Sequence, residues 1–209
     1  MKKILIPLFI FIGVAIATTT LLSFNKINLV NILKQEEKVI HITPLGNVDQ
    51  KHLELVKGYI QNFYGFKCVI DNKEPLTKAI LTKSGTRYEA NKIIAKYKSN
   101  KNILLLTNVD IAYFNKKKNI KEYGIIGLGS LPGKTCVVST FRLKKFVTEE
   151  KMLDRLKKVS IHEVGHNLGL DHCNYDRECL MNDARGTVTQ IDRERVWICD
   201  NCRRIIGMK

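Results

Sequence analysis

The chain has 209 residues, 44% hydrophobic and 26% charged, with 13 Gly and 4 Pro. This is a globular mixture with room for one domain and a small appendage, and it excludes wholesale disorder and collagen-like repeats. Thirty-five Lys and Arg against 20 Asp and Glu give a formal net charge of +15, which suits an anionic partner and equally a lysine-rich solvated surface.

Lys2 and Lys3 precede an uncharged stretch from Ile4 to Phe24. Ile4–Val14 has the size of a signal-peptide apolar core, and Ala15-Ile16-Ala17 is a small-x-small cleavage pattern. The whole stretch could also span a bilayer as an uncleaved anchor, a membrane tether through residues 4–24. On either reading residues 1–24 predict export, with the protein secreted or membrane-anchored facing outside the cytoplasm. Residues 25–38 read as a polar linker and residues 39–209 as the folded domain.

Val39–Thr43 alternates like a strand and is expected to stop at Pro44 and Gly46. Asp49 opens a helical pattern with Leu53, Val56, Ile60 and Phe63 on one face, ended by Gly65. Phe66–Ile70 predicts a second strand, residues around Tyr88–Tyr97 a helix, and the apolar run Ile103–Thr107 a central strand. Ile111–Asn115 and Asn119–Tyr123, divided by Lys116–Lys118, predict a hairpin, and Cys136–Phe141 one more strand. This succession predicts an α/β (α+β) fold with a mixed sheet.

From Lys151 the chain reads KMLDRLKKVSIHEVGHNLGLDHC. Thr148 can cap a helix whose positive first turn suits Glu149 and Glu150, and Leu156, Val159 and Val164 have helical apolar spacing. His162 and His166 lie one turn apart, so both imidazoles project from one face. Gly169 falls where the helix should stop, and a left-handed residue there would turn His172 back towards the first two. Three neutral imidazoles around Zn²⁺ leave a fourth position for water, and Glu163 is placed to take that water's proton. Three of the five histidines of the chain fall within this stretch. His41 and His52 have no such company and read as structural. Asp171 could orient an imidazole or simply stay hydrated.

HExxHxxGxxH is the zinc signature of the metzincin metallopeptidases. With Cys173, Cys179-Leu180-Met181 and Cys199-Asp200-Asn201-Cys202 downstream, the chain resembles the archaemetzincin (archaelysin) family. Ile42-Thr43-Pro44-Leu45-Gly46, Asn108-Val109-Asp110 and Val138-Ser139-Thr140-Phe141-Arg142-Leu143 are also similar to segments of that family. The resemblance implies a metzincin-like catalytic domain over 39–209, with a mixed sheet, an active-site helix and a small Cys-rich zinc lobe over 173–209. It implies His162, His166 and His172 as ligands of a catalytic zinc, Glu163 as general base, and Met181 beneath the metal. It further implies a second, structural zinc on Cys173, Cys179, Cys199 and Cys202, hence two Zn²⁺ per chain. Five residues separate Cys173 from Cys179, one more than in the family pattern, and an export signal is not part of that pattern.

On chemistry alone, two short-spaced cysteine pairs match a closed tetrathiolate zinc site. In an oxidising compartment the rival is two disulfides between Cys173 or Cys179 and the CxxC pair. Cys68 and Cys136 read as buried free thiols, with a mutual disulfide as the alternative. Thr189 to Asp192 opens a helix expected to lead into the CxxC, with Trp197 on it packed into the core.

The leading functional reading is a zinc-dependent peptidase acting on a peptide or protein, its substrate laid along an exposed strand edge such as Cys136–Phe141. The alternative is a non-catalytic, zinc-stabilised binding module for anionic partners. A nucleic-acid partner is not expected, because the lysines are scattered, without interleaved aromatics or a recognisable motif.

Overall fold

The structure, a computed structural model, describes residues 38–131, 133–184 and 187–208. The leader at 1–24 and all of the linker at 25–38 except Lys38 lie outside the described residues. Among the described residues no helix is long and apolar enough to cross a membrane.

Among the described residues eight strands and five α-helices follow one another: β1 (Val39–Leu45), α1 (Gln50–Tyr64), β2 (Lys67–Ile70), β3 (Tyr88–Glu89), α2 (Ala90–Lys96), β4 (Asn102–Thr107), β5 (Ile111–Asn115), β6 (Ile120–Ile125), β7 (Gly127–Gly129), β8 (Thr135–Ser139), α3 (Glu149–Asn167), α4 (Val188–Arg193) and α5 (Asp200–Ile206). The main sheet has the order β2-β1-β4-β8-β7. Its first four strands are parallel and β7 runs antiparallel to β8. The apolar run at β4 is the central strand, as its composition demands. Leu104 and Leu106 face one core, with Ile40, Ile42, Cys136 and Val138, while Leu105 and Val137 face the other. Both faces of the sheet are therefore buried, α1 and α3 packing on the first and α2 on the second.

Three expectations are corrected, and one is placed in the fold. Pro44 lies inside β1, paired opposite Leu106. The carbonyls of Ile42 and Pro44 accept from Asp71 and Glu74, so the proline's missing N–H falls on the side where β2 has already ended, and no ladder bond is lost. The expected hairpin forms as β5–β6 and, with β3, makes a separate three-stranded sheet. β8 is not an edge strand: all five of its residues are buried between β4 and β7, and the edge belongs to the three-residue β7. Finally, α4 ends at Arg193 and a new helix starts within the CxxC at Asp200. Trp197 thus sits on the intervening loop, 37% exposed.

The remaining elements keep their expected signals. The Asp49 carboxylate caps α1 by accepting from the Lys51 N–H at 2.9 Å, and the Thr148 hydroxyl caps α3 by accepting from the Lys151 N–H at 3.3 Å. Cys68 and Cys136 are buried free thiols. His41 bonds Asp71 at 2.9 Å, and His52 is buried on α1.

Candidate metal centres

α3 carries His162 and His166 one turn apart, and its end is set by Gly169, whose φ of 102° reverses the chain. The Leu170 N–H closes the reversal on the Gly165 carbonyl at 3.0 Å. His172 thereby returns to the other two, and the three residues offer ligand nitrogens within 4.8 Å of one another. His162 Nδ1 lies 2.7 Å from the Leu180 carbonyl and His166 Nδ1 lies 2.7 Å from the Leu170 carbonyl. A carbonyl only accepts, so each Nδ1 carries the proton and each Nε2 presents a lone pair, the tautomer a metal ligand needs. Asp171 does not orient an imidazole: its carboxylate accepts from the His172 backbone N–H at 2.7 Å.

Burial lowers the proton affinity of His162 to a pKa of about 3, assisted by the neighbouring His166, and lowers that of His166 in the same direction. Neutral imidazoles side by side are what a dication can bind. Glu163, 7% exposed, has its carboxyl raised to about 8 by burial, against the opposing effect of a hydrogen bond from the Gly129 N–H.

β7 runs directly over this helix. A Cβ at Gly127 would collide with the Glu163 carboxylate, and one at Gly129 would collide with His166 Cβ. The Ile126 carbonyl and the Ser130 N–H bond towards β8, so by alternation the peptide groups of Gly127 and Gly129 face away from it, towards the site. Beneath the helix, a Cβ on Gly165 would stand 2.6 Å from Met181 Sδ. Met181 is fully buried there, in the turn whose Leu180 carbonyl holds His162. Tyr64, also buried, donates its hydroxyl to the Ile161 carbonyl at 2.7 Å.

Cys173 follows His172 directly in the chain, and with Cys179, Cys199 and Cys202 it places four buried sulfurs within 4.8 Å of one another. The Cys173–Cys199 and Cys179–Cys202 separations are 3.7 and 3.8 Å. Sulfurs around a tetrahedral zinc with bonds of about 2.3 Å should lie about 3.8 Å apart. A disulfide would need about 2.05 Å, and all four cysteines are free. Burial pushes Cys179 up to about 11, and Cys202 is also raised. At Cys199 burial is outweighed by hydrogen bonds from the Cys202 amide and the neighbouring thiols, and the thiol falls below its ordinary range. Burial thus favours neutral thiols at Cys179 and Cys202, and four thiolates packed this closely would need a cation among them.

The imidazoles and Glu163 open into a cleft of about 710 Å³, whose other walls come from the β5–β6 hairpin, β7 and α4. The structure brings the three histidines together beside Glu163 and above Met181, and gathers the four cysteines in a second cluster. Sequence reasoning missed Tyr64, whose helical spacing marked only core packing, and the glycines of β7, because Gly-Leu-Gly is too short to show a period.

The profile of Peptidase family M54 matches residues 74–207. The chain is 28% identical over 178 residues to the archaemetzincin of Halobacterium salinarum, covering 80% of this chain and 98% of that one. It is 27% identical over 163 residues to the archaemetzincin of Archaeoglobus fulgidus, covering 78% and 95%. The crystal structure of Archaeoglobus fulgidus archaemetzincin complexed with malonate matches with a TM-score of 0.69 at 26% identity, covering 80% of this chain and 99% of that one. The Methanopyrus kandleri archaemetzincin structure, at 22% identity, shares the fold with a TM-score of 0.67, covering 83% and 96%.

Proposed function

Since the chain belongs to Peptidase family M54 and is a zinc metallopeptidase, we propose that His162, His166 and His172 hold the catalytic zinc and that Glu163 is the general base. The observation that carries this reading is the convergence of three imidazoles, two of them with the metal-facing nitrogen left unprotonated by a carbonyl at Nδ1, beside a buried carboxylate. A metal site that only held the fold together would have no use for Glu163, and this disfavours the non-catalytic binding module.

Zinc bound by the three imidazoles supplies a Lewis acid that polarises a carbonyl and makes a water acidic near neutrality. With zinc held there, Glu163 would accept a proton from the attacking water and hand it to the departing amine. Its raised carboxyl pKa suits a group that must both accept and release a proton near pH 7. The carbonyls of Leu180 and Leu170 fix the two helical rings, and the Gly129 N–H fixes the base. The outward peptide groups of β7 offer an edge along which a substrate backbone can lie as an added strand. Cys173, Cys179, Cys199 and Cys202 hold a second, structural zinc. Residues 1–24 export the enzyme, retained as an anchor or removed, and fractionation of cells with N-terminal sequencing of the mature chain tests this.

The decisive experiment is hydrolysis of a mixed peptide library with and without a zinc chelator. Cleavage that the chelator abolishes and added zinc restores is expected. No cleavage, or cleavage indifferent to chelation, would reject the assignment.

A further inference from the structure

We propose that Glu194 is a specificity-determining residue, forming with the cleft floor a subsite for the side chain of a substrate lysine or arginine. This rests on the peptidase reading and adds to it a substrate preference. Along α3, Lys158, Val159, His162, Glu163 and His166 line the cleft, a stripe that carries it one turn from the candidate zinc site towards the helix N-terminus. Ile191 of α4, Glu194 just past its end and Tyr113 on the hairpin line the same cleft. A side chain adjoining the scissile bond would enter this space.

The position of Glu194 is firmly set. Arg155 on α3 grips Asp192 through two bonds of 2.8 and 2.7 Å, Lys151 adds a third contact at 3.2 Å, and the Glu194 N–H donates to the Gln190 carbonyl at 3.1 Å. Glu194 is 6% exposed, yet its Oε1 is buried without a hydrogen-bond partner, while Gln190 hydrogen-bonds the carboxylate. Lys158, the cation on the same stripe, bonds Asp154 at 2.9 Å.

A buried carboxylate oxygen with nothing to accept is destabilising, and nothing in the packing of α4 uses it. A lysine or arginine side chain complements this arrangement. Its stem would lie along Val159, Ile191 and Tyr113, and its charged end would draw the Glu194 carboxylate towards the cleft to pair with it. Burial raises the Glu194 carboxyl to about 7, opposed by Gln190 and the charge of Lys158, so an arriving cation would also draw it into its charged form. Lys116–Lys118 on the hairpin turn are exposed, where solvent screens them. The floor is the place where charge discriminates strongly, because the wrong ligand leaves a desolvated acid unpaired.

The test uses alanine-rich octapeptides carrying lysine, norleucine or glutamate at each position in turn, with the zinc-loaded full chain. At one position beside the cleaved bond, kcat/KM for lysine should exceed that for norleucine by at least about tenfold, with glutamate worst. In Glu194→Gln the lysine/norleucine ratio should fall to near one, and in Glu194→Lys the order of lysine and glutamate should invert. Calorimetric binding of the same peptides to Glu163→Gln needs no turnover. If the wild type cleaves nothing, the peptidase reading fails, while the ratio of Kd values still decides the subsite. A ratio near one in the wild type, a ratio unchanged in Glu194→Gln, or no binding of any peptide overturns the proposal.

Discussion

The hydroxyl of Tyr64, at the end of α1, is bonded to the carbonyl of Ile161, 97 residues further along the chain and immediately before the first zinc-site histidine. The bond braces the active-site helix from behind, and the same hydroxyl would lie 3.2 Å from a Cβ at Gly165. Tyr64→Phe keeps the ring packing and removes only this bond. It should cost about 1 kcal/mol of stability, read as a lower urea midpoint at constant m-value. An unchanged midpoint would show that the bond contributes nothing.

Replacing Glu163 by Gln preserves shape and removes the proton acceptor. Peptide hydrolysis should drop by about 10²–10⁴-fold while zinc content stays at the wild-type level. Gly127→Ala should act through the same group, because the new methyl would displace the Glu163 carboxylate. Its turnover should fall while its zinc content also holds. Full activity in Gly127→Ala would mean that β7 yields more readily than its contacts suggest.

The thiol cluster and the histidine cluster predict two zinc ions per chain, with four cysteines protected from alkylation and Cys68 and Cys136 reacting only on unfolding. Elemental analysis with a free-thiol count measures both. One zinc with two disulfides would replace the tetrathiolate with covalent cross-links. Because burial holds His162 at about 3, the histidine-bound zinc should stay in place down to about pH 5 and be released only as the pH falls towards 3 and the imidazoles protonate; a metal content that did not change even at pH 3 would argue against histidine ligation.

In the zinc-free protein the depressed pKa of His162 makes stability depend on acidity in a definite direction. The unfolded chain takes up this proton near pH 6.5, and the folded chain resists until about pH 3. Stability is therefore lost as the pH falls through that window, with a slope of up to about 1.4 kcal/mol per pH unit from this group, and His166 contributes in the same sense. Denaturant titrations at pH 7, 5.5 and 4 should show the decline, and His162→Gln should flatten it. A flat profile in the wild type would mean that the ring is not desolvated.

Much of the site was legible because its determinants are local. One turn between His162 and His166, a glycine at 169 and a cap at Thr148 each act over a few residues. The cysteines were legible as a set for the same reason, whereas the choice between zinc and disulfides was not, and there the 3.7 and 3.8 Å spacing in the fold favours the metal. The sheet edge was misassigned because Cys136–Phe141 carries no mark of which neighbours cover it, and β7 is too short and glycine-rich to announce itself. The family-like segments upstream found their meaning only in three dimensions. Asp110 receives Arg142 at 2.7 and 3.0 Å and Arg87 at 2.8 Å, and the Ser139 hydroxyl donates to the Val109 carbonyl at 2.6 Å. Residues that looked like separate echoes form one polar clasp at the ends of β4 and β8. Pro44 misled for a related reason: its cost depends on which side of the strand lacks a neighbour.

His172 and Cys173 share a peptide bond, so the imidazole that completes one centre and the sulfur that begins the other are rigidly yoked. Oxidising or stripping the sulfur cluster would slacken the tether that keeps the third imidazole in place, and an insult to the lobe would reach the reaction chamber without touching it. An inactivator of this enzyme therefore has two handles, and the one farther from the substrate is guarded only by the tightness of four thiolates.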